Sequence, residues 1–410
     1  MPAWSTLLNT TLVLPSLFFL AATNEVLCQQ NLSGQSDGSI STLTVAPNDS
    51  KVDFSNPVAT PLPLAIGVST AKVKDEFLIL LDKAITINSN SGNFDVFPLP
   101  VPFPGVQPGM VGSGEKKSVS LGVPTAVAPS QQVAPQQFGT ANFPFTTARA
   151  DLEGQATNEL YPYRASGRLF YLKNKQTFAC TASLIKPGVL VTAAHCVADF
   201  GKKQYFSGWQ YVPGYRNGLG PFNGAWEIAE AKVLDAYLQG SDPCTQSGVV
   251  CQDDIAVLAV KPKKDPNGKD VYPGASTGWY AFGWNKAGFS KDGVALVTQI
   301  GYPACLDGGT MMERNDVQAV ASSQMSGNTM LGSLMCDGAS GGPLLTNFGV
   351  RPTLTGTISG FSFDQNLVVG VTSWGATDPG VKQMGASPFL DSNILKLVNA
   401  ICTSSSAACN

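Results

Sequence analysis

Three short motifs, far apart in the chain, carry residues that could act together in nucleophilic catalysis. His195 is the only histidine in the 410 residues and follows the apolar run Leu-Val-Thr-Ala-Ala. Asp253 and Asp254 precede the run Ile-Ala-Val-Leu, and Ser340 lies in the motif Cys-Asp-Gly-Ala-Ser-Gly-Gly-Pro. A serine hydroxyl stays protonated near neutral pH, so it needs an adjacent base, and the base needs a carboxylate that fixes its tautomer. His195, Asp254 and Ser340 could supply these roles.

Each motif has an ordinary explanation when it stands alone. A lone histidine is more often incidental, two aspartates before a strand usually form a solvated turn, and a glycine-rich turn is usually only a turn. The three together, in this order, are far more specific. Asp254 directly precedes the apolar run and is the expected carboxylate, with Asp253 as its solvent-facing neighbour. Gly338 would let the backbone N–H groups of Gly338 and Ser340 converge on a developing oxyanion.

The elements that must position these residues are predicted to be mainly β-strands. After about residue 160 the chain consists of short β-rich runs separated by Gly, Pro, Asn and Asp, which is typical of an antiparallel sandwich or barrel. The clearest runs are 168–172, 182–185, 189–191, 255–260, 295–300 and 367–374.

One helix is predicted at the end of the chain. Asp391 or Ser392 can cap a helix over residues 393–401. Its apolar face consists of Ile394, Leu397, Val398 and Ile401.

Composition excludes several classes of function. Formal net charge is −3 and only 13% of residues are charged, with no basic run, so nucleic-acid or anionic-membrane binding through charge has no support. A single histidine and the lack of any CxxC pair exclude poly-histidine and zinc-ribbon sites, and no metal or cofactor is expected. Nine cysteines are then expected to form disulfides in an oxidising compartment.

The N-terminal third differs from the rest of the chain. Residues 1–22 are predicted to be a signal peptide, although they lack Lys or Arg, and the alternative is a buried or interfacial apolar segment. No later run is long enough to span a membrane, so we expect a secreted protein, extracellular or periplasmic, without membrane contact after signal removal. Residues 23–155 are rich in Pro, Gly, Ser and Gln, and only 73–84 favour a helix. They are interpreted as a low-complexity spacer or a removed pro-segment, with an independent binding domain as a third alternative.

Four motifs, in order, resemble those of the chymotrypsin-like (trypsin-fold) serine proteases in their broad bacterial and glutamyl-endopeptidase-like sense. They are Thr192-Ala-Ala-His-Cys, Asp254-Ile-Ala-Val-Leu, Gly338-Ala-Ser-Gly-Gly-Pro and Thr372-Ser-Trp-Gly, and the similar region covers about residues 160–402.

The resemblance implies an all-β fold of two six-stranded antiparallel β-barrels with a C-terminal helix, preceded by the Pro/Gly/Ser-rich region. Residues 156–277 would form the first barrel, with His195 and Asp254, and residues 278–410 the second barrel and the helix, with Ser340. Ser373, Trp374 and Gly375 would be the edge strand that pairs with substrate backbone.

Disulfides follow from the same resemblance and from proximity along the chain. Cys180 and Cys196 match the family bridge beneath the histidine loop, and Cys305 with Cys336 would brace the serine loop. Short-range pairs are proposed for Cys244 with Cys251 and for Cys402 with Cys409. Cys28 is left over, which fits its removal with the N-terminal region.

Departures from the family pattern sharpen the prediction. Ala339 stands where trypsin-like zymogens have the aspartate that binds a new Ile-Val-Gly-Gly terminus, and no such terminus occurs. Leu334 replaces the aspartate that selects basic side chains, and Thr372 replaces the histidine that selects glutamate. We therefore expect a small or apolar P1 residue (the side chain before the scissile bond), modified by Asp337 or Asp378.

The leading hypothesis is a secreted serine endopeptidase, made as a zymogen, that acts on polypeptides through an acyl-enzyme. One alternative is a protease-fold binding or regulatory protein without turnover. Another is a structural or cell-surface protein whose Pro-rich N-terminal half is the working part. The oligomeric state is left open.

Overall fold

The computed structural model describes residues 39–45, 51–66, 104–122, 124, 144–151, 155–290, 292–350, 364–378 and 380–410. Several features predicted from the sequence lie outside these residues. They are the signal peptide 1–22, the helix 73–84 and Cys28.

Most of the regular structure in the described residues is β-strand. In chain order the strands up to the end of the first barrel are β1 Ile40–Thr44, β2 Val58–Ala59, β3 Leu64–Ala65, β4 Gly105–Gln107, β5 Val119–Ser120, β6 Phe145–Arg149, β7 Ser166–Lys173, β8 Gln176–Lys186, β9 Val189–Thr192, β10 Ala198–Asp199, β11 Gln204–Tyr205, β12 Ser207–Pro213, β13 Leu219–Gly220, β14 Trp226–Leu234 and β15 Ala256–Val260. The later strands are β16 Lys263–Lys264, β17 Asp270–Val271, β18 Ala281–Trp284, β19 Val294–Gly301, β20 Glu313–Ala321, β21 Thr329–Gly332, β22 Pro343–Thr346, β23 Leu367–Ala376 and β24 Gln383–Pro388. The helices are α1 Asp235–Gln239, α2 Gly274–Thr277 and α3 Lys396–Ser404, with a π-helical turn Asp391–Leu395 before α3 and 3₁₀ turns at Thr157–Glu159, Tyr163–Ala165, Ala194–Cys196, Asp307–Gly309 and Ser406–Ala408.

Six strands close the first barrel. The antiparallel ladder runs β7, β8, β9, β15, β14, β12 and returns to β7. Its interior holds apolar side chains from opposite strands, among them Leu190, Trp209, Val233 and Leu258. Closure of this ladder buries a continuous apolar core.

Six further strands close the second barrel. The antiparallel ladder runs β19, β20, β21, β24, β23, β22 and returns to β19. Val297, Val317, Leu331 and Leu344 lie in its core. The prediction of two six-stranded antiparallel barrels followed by a C-terminal helix is confirmed.

The described part of the N-terminal region is paired with both barrels. Strand β1 pairs with β14 and β2 with β8 in the first barrel. In the second-barrel sheet, β3 pairs with β23, β4 with β18 and β6 with β20. Repeated prolines leave only short strands here, because proline cannot donate to a ladder.

The C-terminal helix crosses back to the first barrel, where α3 contacts β14 and β15. All four residues of its predicted apolar face are buried. The predicted cap was wrong: the helical segment already includes Asp391 and Ser392. Asn393 takes the capping role instead, since its Oδ1 accepts the N–H of Leu390 at 2.7 Å.

Four disulfides occur among the described residues. They join Cys180 to Cys196, Cys244 to Cys251, Cys305 to Cys336 and Cys402 to Cys409. In the part of the chain that the structure describes, no helix is long and apolar enough to cross a membrane.

Candidate active site

His195 lies in a short 3₁₀ turn directly after the buried strand β9. The next residue, Cys196, forms a disulfide with Cys180 of β8. A strand and a covalent bridge therefore hold the backbone of this turn on both sides.

Asp254 accepts hydrogen bonds that fix the imidazole. Its Oδ1 accepts the main-chain N–H of His195 at 2.8 Å, and its Oδ2 lies 2.7 Å from His195 Nδ1. Ser373 Oγ donates to the same Oδ2 at 2.6 Å. A carboxylate only accepts, so this arrangement puts the ring proton on Nδ1 and leaves the lone pair on Nε2. Nε2 is buried and forms no hydrogen bond within the described residues.

Asp253 was expected to face solvent, and this expectation was wrong: the residue is only 1% exposed. Its N–H donates to Asp242 Oδ2 at 2.8 Å, and its Oδ1 accepts from Asn393 Nδ2 at 3.2 Å. Burial raises the pKa of both Asp242 and Asp253, and the charge of Asp253 raises that of Asp242 further. The physical reason for the error is that the turn before α3, distant in sequence, covers this aspartate.

Ser340 lies in a turn whose shape depends on glycine. Gly338 has φ +90°, and a Cβ there would lie 2.7 Å from the carbonyl oxygen of Tyr302. A Cβ on Gly341 would lie 2.0 Å from Thr192 Oγ1 and 2.8 Å from the nitrogen of Ala193. The serine turn is thus packed directly on the chain that leads into His195.

The hydroxyl of Ser340 is enclosed. The residue is 0% exposed, and its Oγ has no hydrogen-bond partner among the described residues. Its carbonyl accepts the N–H of Thr181 at 2.8 Å, which ties the second-barrel loop to β8 of the first. A buried hydroxyl without a partner is costly, and such groups concentrate at functional sites.

The residues predicted to bind substrate flank this turn. Met335 and Trp374 are buried in one apolar cluster, and Leu334 packs against it. Ser373 contributes its hydroxyl to Asp254, and the N–H of Gly375 already donates to the carbonyl of Pro63 at 3.0 Å.

Ala339 is fully buried in the same cluster as Met335. A carboxylate at this position would be desolvated, which agrees with the presence of alanine where trypsin-like zymogens have an aspartate.

Two groups of side chains resemble metal sites in composition only. Cys180, His195 and Cys196 lie together, as do Asp242, Cys244 and Cys251. All four cysteines are in disulfides, so their sulfurs are not available as thiolate ligands.

Sequence reasoning missed three contributors to this site. Asp242 and Asn393 surround Asp253, and no local pattern marks either of them. Ser373 was named as a substrate-binding residue, and its bond to Asp254 followed from no motif spacing. The motif Thr372-Ser-Trp-Gly indicated only that this part of the chain belongs to the site.

Comparison with known families identifies the family to which the chain belongs. The model of the trypsin family matches residues 155–387, more than half of the chain. The chain belongs to the trypsin family of serine proteases.

Solved structures similar to the chain include a thermostable serine protease, AL20, from an extremophilic microorganism (18% identity, 58% of this chain and 96% of that chain, TM-score 0.45). The protease Anisep from Arthrobacter nicotinovorans has 18% identity over 60% of this chain and 96% of its own, with a TM-score of 0.44. A Glu endopeptidase in complex with MPD has 16% identity over 62% of this chain and 95% of its own, with a TM-score of 0.42. The comparison with curated proteins gave no match.

Proposed function

We propose that this protein is a secreted serine endopeptidase that hydrolyses polypeptides through an acyl-enzyme, with His195, Asp254 and Ser340 as its catalytic triad. The observation that carries the proposal is the double contact of Asp254 with the main chain and ring of His195. It orients a histidine whose second nitrogen is left without another partner in the described part of the chain.

Each reaction step uses a group already described. His195 Nε2 takes the proton of Ser340 Oγ as the oxygen attacks the substrate carbonyl, and Asp254 stabilises the imidazolium that forms. The N–H groups of Gly338 and Ser340 bind the oxyanion, each worth about 3 kcal/mol in the transition state. His195 then gives the proton to the leaving amine. Water, activated by the same base, releases the acyl group and regenerates Ser340.

Four disulfides support secretion. Disulfides persist in oxidising compartments and are rare in the cytosol. The proposed location is extracellular or periplasmic.

The test is labelling by an organofluorophosphonate, which forms a covalent bond only with an activated serine. Because Ser340 is buried, the full-length protein is labelled both before and after limited proteolysis. We expect one label per chain, located at Ser340 by peptide mass spectrometry, and none in Ser340→Ala. Absence of labelling in both forms of the folded protein would favour the alternative, a protease-fold binding or regulatory protein, and would overturn the proposal.

For specificity, we propose a small or apolar residue at P1. Leu334 and Met335 lie beside the serine turn, and Met335 is in the apolar cluster with Trp374. Profiling on a peptide library checks this. A preference for Arg, Lys or Glu at P1 would contradict it.

A further inference from the structure

One stretch of the N-terminal region, residues 58–66, passes along the serine turn and is called the cleft segment here. Its first part, β2, pairs with Phe178 and Ala179 of β8 in the first barrel. Its last part, β3, pairs with Gly375 and Ala376 of β23 in the second barrel. Between these strands it crosses the residues proposed to bind the substrate and the oxyanion.

Backbone hydrogen bonds hold the cleft segment on the groups that a substrate would need. The N–H of Gly338, a proposed oxyanion donor, donates to the carbonyl of Thr60 at 3.0 Å. The N–H of Thr60 donates to Ala179 at 2.9 Å, and the N–H of Gly375 donates to the carbonyl of Pro63 at 3.0 Å.

Side chains add further anchors. Asp337 Oδ1 accepts the N–H of Leu62 at 3.0 Å. Thr60 Oγ1 lies 2.9 Å from the hydroxyl of Tyr171. At the far end, the amide of Gln246 bonds both the N–H and the carbonyl of Ile66, at 2.9 and 2.7 Å.

Leu62 is the apolar anchor of the cleft segment. It is 5% exposed and belongs to the apolar cluster of Met335, Ala339 and Trp374. Ile66, four residues later, is 76% exposed. Leu62 is therefore buried against the apolar cluster, whereas the side chain of Ile66 is free of it.

We propose that the cleft segment is an intramolecular inhibitor that occupies the substrate cleft and is displaced when the enzyme becomes active. This inference rests on the proposed protease function. Ser340 and His195 Nε2, two groups that must be reached by substrate, are both buried in this structure, as an occupied cleft requires.

The direction of the chain explains why the segment inhibits and is not a substrate. The carbonyl that accepts the N–H of Gly338 is that of Thr60, so the bond that would be cleaved is Thr60–Pro61. Beyond that bond the chain runs to Gly375, parallel to β23. His195 must protonate the leaving nitrogen, here that of Pro61, for a peptide bond to break. Past Pro61 the segment leads to β23 of the second barrel, whereas His195 follows β9 of the first. The proposal therefore has the nitrogen of Pro61 turned away from His195.

The experiment compares organofluorophosphonate labelling rates of full-length variants. Leu62→Asp puts a carboxylate into an apolar site and should unseat the segment, so labelling of Ser340 should be at least tenfold faster than in the wild type. Ile66→Asp is the matched control, because it adds the same charge to the same segment at an exposed side chain. Its labelling rate should remain that of the wild type.

A second pair of variants changes the loop that binds Ile66 and leaves the cleft segment itself unaltered. It keeps the proposal testable if Leu62→Asp does not fold. Gln246→Ala removes both hydrogen bonds to Ile66 without touching the apolar core, and should also speed labelling. Ser247→Ala, the next residue in the loop, is its control. Intact-mass analysis of the wild type should find no cut between residues 58 and 66.

The outcomes separate the two proposals. Equal labelling rates in the wild type, Leu62→Asp and Gln246→Ala, or a cut within residues 58–66, would overturn inhibition and leave the protease function standing. Absence of labelling in every variant, with or without limited proteolysis, would overturn the function and the inference together.

Discussion

Asp254 receives hydrogen bonds from the main chain of His195, from Nδ1 of the same ring, and from the hydroxyls of Ser373 and Tyr237. Together they hold the carboxylate in one orientation and the imidazole in one tautomer. Asp253, one residue earlier, contacts Asp242 and Asn393 instead. Two adjacent, buried carboxylates thus have different partners, and only Asp254 contacts His195.

At the residue scale, Asp254→Asn tests this assignment. An amide can turn its NH₂ toward Nδ1 and stabilise the wrong tautomer, which leaves Nε2 protonated and unable to act as a base. We expect acylation to slow by about 10⁴-fold, measured on a form of the protein with an accessible Ser340.

Asp253→Asn is the matched comparison for that measurement. It keeps the volume of the side chain and removes a carboxylate that does not contact His195. Its acylation rate should stay within about tenfold of the wild type, since no hydrogen bond to the imidazole is lost. A larger loss at Asp253 than at Asp254 would reverse the assignment.

At the scale of elements, the C-terminal helix joins the two halves of the protein. It follows the last strand of the second barrel, yet α3 packs on β14 and β15 of the first. Ser404 and Ser405, at its end, donate to the carboxylate of Glu230 in β14, and Lys232 pairs with the same carboxylate at 2.7 Å. The helix therefore buries an apolar face and satisfies a buried charge.

Leu397→Ala tests the contribution of this helix. Leu397 is fully buried, and truncating a buried leucine typically lowers the free energy of unfolding by about 2–5 kcal/mol. Urea unfolding measures the change. Asn399→Ala, on the exposed side of α3, is the control and should change stability by less than about 0.5 kcal/mol. Equal effects would show that the helix does not depend on its packing.

Across the whole molecule, the N-terminal strands attach to both barrels, and β6 contacts an acidic pair of the second barrel. Glu313 of β20 is buried beside Asp307, which is paired with Arg149 of β6. Burial, a hydrogen bond to Asp307 and the charge of that aspartate raise the pKa of Glu313 from 4.5 to about 9. Glu313 is therefore protonated in the folded protein at neutral pH.

This shift predicts a pH-dependent stability. Between pH 4.5 and about 9 the unfolded chain has lost a proton that folded Glu313 keeps. The free energy of unfolding should then fall as pH rises through this window, by up to about 1.4 kcal/mol per pH unit. Glu313→Gln removes the titration and keeps a hydrogen-bond donor, so its stability should fall less between pH 5 and 9.

Urea titrations at several pH values check this difference. Glu227→Gln serves as the control, because it makes the same substitution at an exposed carboxylate. A Glu313→Gln variant with the same pH dependence as the wild type would contradict a protonated Glu313.

Much of the architecture follows from local sequence. The predicted strands 182–185, 189–191 and 367–374 lie within β8, β9 and β23. The predicted strand 255–260 matches β15 except for its first residue, Ile255. Strongly apolar, β-branched runs between turn residues favour strands whatever their neighbours are. The apolar face of α3 was readable for a similar reason, since its 3.6-residue spacing is a property of the chain itself.

The sequence by itself determined which residue types carry chemistry: one histidine, a serine between glycines and a pair of aspartates, in an order that resembles a known family. Tertiary structure decided the rest. It buried Asp253 under the turn before α3, gave Asp254 further donors in Ser373 and Tyr237, and laid residues 58–66 along the serine turn. Except for that of Tyr237, these contacts join positions more than a hundred residues apart, and such partners are selected by how the barrels pack, which no local pattern of residues records.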